Sequence, residues 1–154
     1  MQIPVSLTVS VRNRAPPQAT PATVSALPSA AVQIAAGGAS SYAMLVDGSV
    51  WAWGRNDYGQ LGDGTTTDRL SPVRIEGYGA DTAMRLPPGG AGAGYTMFVV
   101  AADGTAMGSG RNSDGQLGNG GTDDVVTAGA IPELGAGIVE IARGRVHTLV
   151  LKGE

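Results

Sequence analysis

Two runs of this sequence carry residue types that could do chemistry. Gly54-Arg55-Asn56 with Gly59-Gln60-Leu61-Gly62, and Gly110-Arg111-Asn112 with Gly115-Gln116-Leu117-Gly118, combine cations, amides and glycines at one spacing. A loop of that kind could cradle a phosphate. A phosphate loop needs a helix N-terminus behind it and usually Lys followed by Ser or Thr, and neither follows here. Asp63, Asp68, Asp123 and Asp124 on Gly/Thr-rich stretches could recruit calcium, but the alternating-carboxylate loop closing on Glu is absent. They read as solvated turn residues. His147 is the sole histidine and there is no cysteine, so neither a histidine cluster nor a thiolate site can be built within one chain. A packed, hydrogen-bonded structural role is expected for His147. No serine lies in a Gly-x-Ser-x-Gly elbow, and no pair of carboxylates stands out. These residues therefore point away from an enzyme, and no cofactor or metal is expected.

The elements that hold the two runs are set by an internal repeat. Residues 47 to 68 recur at 103 to 124 without a gap, with 12 of 22 positions identical. A residue needed for chemistry is usually needed once, whereas one that joins neighbours is needed in every unit. Arg55, Asn56 and Gln60, with Arg111, Asn112 and Gln116, are accordingly read as hydrogen-bonding backbone groups across the unit junction. Leu61 and Leu117 are read as plugs in that junction, and the glycines as tight turns.

Each unit reads as four short strands. Val32 to Ala36 and Tyr42 to Val46 precede Asp47-Gly48, a hairpin signal that predicts a type I′ turn with positive φ at both residues. Val50 to Trp53 returns, with both tryptophans on one face, and Pro72 to Ile75 follows as an outer strand, where proline is tolerated. The second unit places strands at Met84 to Leu86, Tyr95 to Ala101, Thr105 to Ser109 and Val125 to Ile131. A third starts at Val139 and runs to Leu151, giving about two and a half units. The predicted fold is all-β, with antiparallel four-stranded propeller-blade repeats and an N-terminal arm. The expected divisions are 1–31, 32–83, 84–137 and 138–154.

Gly54-Arg55-Asn56, Gly59-Gln60-Leu61-Gly62 and Ala36-Gly37-Gly38, with their second-unit copies and Ala142-Arg143-Gly144 before His147-Thr148, resemble the regulator of chromosome condensation repeat. The resemblance covers about residues 32 to 151. It implies a propeller fold, usually closed with seven blades, which this chain is too short to form alone. It also implies a possible regulatory domain that binds a small GTPase and promotes nucleotide exchange.

Composition narrows the partners. Gly 25 and Pro 9 in 154 residues argue against long helices, and the net charge of −3 provides no basic field for nucleic acid or an anionic membrane. The longest apolar run, 95 to 102, falls far short of the roughly 20 residues of a membrane helix, and the start lacks the features of a signal peptide. Ile3, Val5, Leu7, Val9 and Val11 alternate with Pro and polar or charged residues, an amphipathic strand on a Pro-rich linker. That arm can fold back to complete the half unit or add to another chain's sheet. The expectation is a non-enzymatic structural or protein-interaction module that assembles with other copies or a scaffold. Nine of the ten basic residues are Arg, a GC-rich signature that suggests a bacteriophage virion component, with a cytoplasmic location otherwise.

Overall fold

The computed structural model describes residues 8–9, 22–24, 26–78, 84–87 and 94–153. In chain order they form β1 (Thr8–Val9), β2 (Ala22–Thr23), β3 (Ala31–Gly37), β4 (Ser40–Leu45), β5 (Val50–Gly54) and β6 (Arg69–Ile75). There follow β7 (Met84–Arg85), β8 (Thr96–Ala101), β9 (Ala106–Gly110), β10 (Val125–Ala130), β11 (Ile138–Arg143) and β12 (Thr148–Lys152). A single turn of 3-10 helix spans Pro132–Leu134. The fold is all-β. β3 to β6 make one four-stranded antiparallel sheet, blade one, and β7 to β10 make blade two. β1–β2 and β11–β12 are separate two-stranded sheets.

Alternation along the strands builds three apolar layers. Tyr42, Met44, Val50, Ala52 and Ile75 of blade one meet Met97, Val99 and Ala128 of blade two. Phe98, Val100 and Ala106, on the opposite face of blade two, meet Ile138 and Ile141 of β11. Ala43, Leu45 and Trp53 form the outer face of blade one, where Val24, Leu27 and Trp51 pack over them. β8 therefore buries both faces.

Three sequence expectations change. The Asp47-Gly48 and Asp103-Gly104 hairpins are not type I′, because no described non-glycine residue has positive φ; within each turn pair only the glycine does, Gly48 at +75° and Gly104 at +77°. The reason is local. The Asp47 carboxylate accepts bonds from Ser49 N (3.0 Å) and Oγ (2.6 Å), and Asp103 does the same with Thr105. The glycine then takes the left-handed position, with Gly48 N donating to Leu45 O at 3.0 Å. Second, β7 ends at Arg85, one residue before the predicted end; Pro87 has no N–H to extend the ladder. Third, of the predicted arm Val9 lies in β1, which pairs with β2 of the same chain. Ile3, Val5, Leu7 and Val11 lie outside the described residues.

Candidate functional site: the ridge of paired loops

Loop 55–68 of blade one and loop 111–124 of blade two are each closed by a buried asparagine. Asn56 Nδ2 donates to Thr65 O (2.9 Å), Thr67 O (3.1 Å) and Asp63 Oδ1 (3.1 Å), and Leu61 N donates to Asn56 Oδ1 (2.9 Å). Asn112 repeats the clip on Asn119 Oδ1 (2.9 Å), Gly121 O (3.0 Å) and Leu117 N (2.9 Å). Asp68 and Asp124 accept the asparagine N–H groups at 2.8 and 2.7 Å. Both are exposed, as expected of solvated turn residues, and each also fastens its loop. The asparagines correct an expectation, since these bonds stay within their own unit. An amide with two donors and an acceptor is satisfied by the nearby loop backbone, leaving nothing to send across the junction.

The junction itself is crossed mainly by backbone. Gly64 N donates to Val126 O (2.9 Å) and Ala128 N to Gly62 O (3.1 Å), while Asp63 and Thr127 form an isolated antiparallel bridge. Gly59 backs onto Val126 and Gly62 onto Ala128. Leu61 and Leu117 are 0% and 1% exposed; Leu61 sits in the layer between the blades and Leu117 in the layer between blade two and β11. The glutamines also work locally through their side chains. Gln60 Oε1 accepts from Tyr58 N (3.0 Å) and Gln116 Oε1 from Asp114 N (2.9 Å). The Tyr42 hydroxyl donates to Gln60 O (2.9 Å), and burial pushes its pKa up to about 12, which keeps the proton in place.

Arg55 and Arg111 behave differently. The Arg55 guanidinium lies 4.9 Å over the Tyr95 ring, and its Nη1 donates to the Tyr95 hydroxyl at 3.1 Å. Tyr95 meets Tyr58 with ring centroids 5.0 Å apart, and Arg111 caps Tyr58 at 5.7 Å. The resulting row, Arg55–Tyr95–Tyr58–Arg111, alternates between the blades and is half-exposed along its length. Asp57 pairs with Arg55, and Asp114 pairs with Arg111 at 3.2 Å. Repeat logic missed both tyrosines because Tyr58 is matched by Asp114 and Tyr95 by Ala39 in the other unit. Only the junction brings them together.

His147 departs from its expected packed role. It is exposed in the β11–β12 connection, with its ring against Gly144. No group of three or more His, Asp or Glu residues able to hold a metal exists among the described residues.

Asp63 is the carboxylate of the first loop that the Asn56 side chain grips. Burial raises its pKa, but bonds from Thr65 and Arg69 outweigh burial and hold it below the ordinary carboxylate range. A depressed folded pKa gives stability that is present above the unfolded value, about 4, and lost as pH falls through the folded one. Asp63→Asn, which copies Asn119 of the second loop, should therefore flatten the acid limb of a pH-dependent urea titration. An acid limb as steep as wild type would show that Asp63 contributes nothing to it.

Compared with known proteins, residues 47–84 and 31–60 match two models described as Regulator of chromosome condensation (RCC1) repeat. Probable E3 ubiquitin-protein ligase HERC3 of Homo sapiens is 36% identical over 136 residues, covering 87% of this chain and 13% of that protein. Protein RCC2 homolog of Danio rerio is 35% identical over 114 residues, covering 73% of this chain and 22% of that protein. The chain thus spans less than a quarter of either relative. A chain in the crystal structure of Kap60 bound to yeast RCC1 (Prp20) superposes with TM-score 0.63 at 18% identity, covering 86% of this chain and 32% of that one.

Proposed function

Because this chain belongs to the regulator of chromosome condensation repeat family, we propose that it is a non-enzymatic protein-interaction module. Its binding face is the ridge Arg55–Tyr95–Tyr58–Arg111. One observation carries the reading: two cations and two phenol rings stack half-exposed in a row on loops that buried asparagines lock. Arg and Tyr are the residue types enriched at the energetic centres of interfaces. Side chains ordered before binding lose little entropy on contact. On this reading Gly54, Gly59, Gln60, Leu61 and Gly62, with their second-unit copies, position the face and touch no partner. The complex named in the yeast RCC1 structure supports a protein partner.

Arg55→Glu combined with Arg111→Glu tests the proposal. Partners retained by wild type on an affinity column should be lost, at a cost of about 2 kcal/mol or more in binding. Loss of the ring stacking and carboxylate pairing should cost about 1–2 kcal/mol of stability per site, and a urea titration should show the variant still folded. Retention of every partner would sink the assigned face. The family resemblance also favours a second reading, a regulatory domain for a small GTPase. Accelerated release of labelled nucleotide from a GTPase would support it. The narrower role of bacteriophage particle component rests on composition, and co-purification with particles tests it.

A further inference from the structure

Arg143, the last residue of β11, is a cation folded into the interior, with 8% of it exposed. Its Nη1 donates to Thr96 O at 2.7 Å and its Nη2 to Ala36 O at 3.5 Å. Its Nε has no partner, and no carboxylate pairs with it, among the described residues. Burial pulls its pKa below the ordinary arginine value. Burying a guanidinium against neutral carbonyls alone costs more than burying an apolar side chain. The first unit does without it. Ala36 stands there in the matching place, 107 positions earlier, just as Val32 matches Val139 and Ile34 matches Ile141. What the guanidinium adds is direction, because its planar fork fixes two acceptors at once. A side chain that the first unit does without has a task the repeat does not share.

The two acceptors lie on the two backbone stretches that carry the Arg55–Tyr95 pair. Thr96 follows Tyr95 directly, and Gly94, on the other side, donates its N–H to Gly144 O at 3.2 Å. Tyr95 is therefore fastened to the end of β11 on both flanks, while its half-exposed ring stays free to stack. Gly144 is itself held, donating its N–H to His147 O at 2.8 Å. On the blade-one side, Ala36 pairs with Ser41 across the β3–β4 hairpin. That hairpin carries Ala39 O, which accepts the Arg55 N–H at 3.0 Å. One guanidinium thus bridges the hairpin that starts the Arg55 loop and the entry to β8 at Tyr95.

We infer that Arg143 is the positioning residue of the ridge: from a third sheet it sets where Tyr95 of blade two stands against Arg55 and Tyr58 of blade one. The inference rests on the interaction-face reading for its purpose and deepens it, since it names what controls the face. Arg143 acts through backbone, and a stack that spans two blades holds only where both blades keep their spacing. Arg85 is the natural comparison. Its Nη2 donates to Ile138 O at 2.7 Å, at the opposite end of β11 from Arg143. Both arginines brace the same strand against blade two, but only Arg143 reaches the stretch beside Tyr95.

The nuclear Overhauser contact between the Tyr58 and Tyr95 rings, whose centroids stand 5.0 Å apart, reads that spacing in the chain by itself. The contact should disappear in Arg143→Met and persist in wild type and in Arg85→Met. Persistence in Arg143→Met would overturn the inference. Loss in both variants would overturn it too, because any brace on β11 would then serve. Should Arg143→Met fail to fold, Arg143→Lys decides, since it keeps the charge but replaces the fork by a single ammonium. It should weaken the contact, and a contact of wild-type strength would overturn the inference. Partners that wild type retains and the Arg55→Glu, Arg111→Glu variant loses should bind Arg143→Met about tenfold more weakly, within the range of residues that touch no ligand. Unchanged binding beside a lost ring contact would overturn the role of Arg143 in recognition. If the Arg55→Glu, Arg111→Glu variant keeps every partner, the face fails, and the ring contact still decides whether Arg143 sets the spacing.

Discussion

Gly54→Ala and Gly110→Ala are each expected to destabilise the chain by roughly 2–5 kcal/mol, from strain at positive φ plus a buried bond displaced. Both residues end a third strand with φ of +104° and +107°. An added Cβ on Gly54 would stand 2.4 Å from Ala39 O, and on Gly110 2.2 Å from Tyr95 O. Those carbonyls cannot withdraw freely, since they accept the N–H groups of Arg55 (3.0 Å) and Arg111 (2.7 Å). Backing away would break the bond that starts each functional loop. Gly120→Ala is the control, with φ of +75° but nothing within 4 Å of the new atom. It should cost only the conformational part, about 1–2 kcal/mol. Urea titrations of the three variants settle the comparison, and equal losses would mean that crowding plays no part.

Leu61→Ala should cost about 2–5 kcal/mol and Leu117→Ala less within that range, although the two occupy matching places. The cost of a truncated core side chain depends on whether its surroundings can relax or admit water. Leu61 is enclosed by both blades, with Ile75, Tyr78 and Leu86 among its neighbours in the layer. Leu117 lies beside an open groove shared with Leu134 and Val150. Denaturant titration of both variants should show the difference. A larger loss at Leu117 would contradict the asymmetry of the two junctions.

The blades were legible because the repeat keeps its spacing, so apolar strands, Asp-Gly turns and the Gly-Gln-Leu-Gly run recur together. Leu61 could be placed between the units from its apolar character inside a polar loop. The destinations of polar groups were less legible. Asn56 satisfies itself on Thr65 and Thr67, residues that no motif singles out, and Asp68 fastens the same loop from twelve positions away. Asp47 was read through the preference of Asp-Gly for type I′, yet its carboxylate chooses another turn by binding Ser49. Tyr58 and Tyr95 were invisible to repeat comparison because stacking across a junction needs two residues in different places, one on each side.

β8 has one further consequence. Its successive residues belong to different layers, Met97 and Val99 to one and Phe98 and Val100 to the next. It is a party wall: neither room can be finished before it is seated, and lifting it opens both. Repeat chains are often able to melt from one end, unit by unit. Here the amide hydrogens of 97 to 100 report on both layers at once, so the central strand ties the unravelling of either end to the loss of the other.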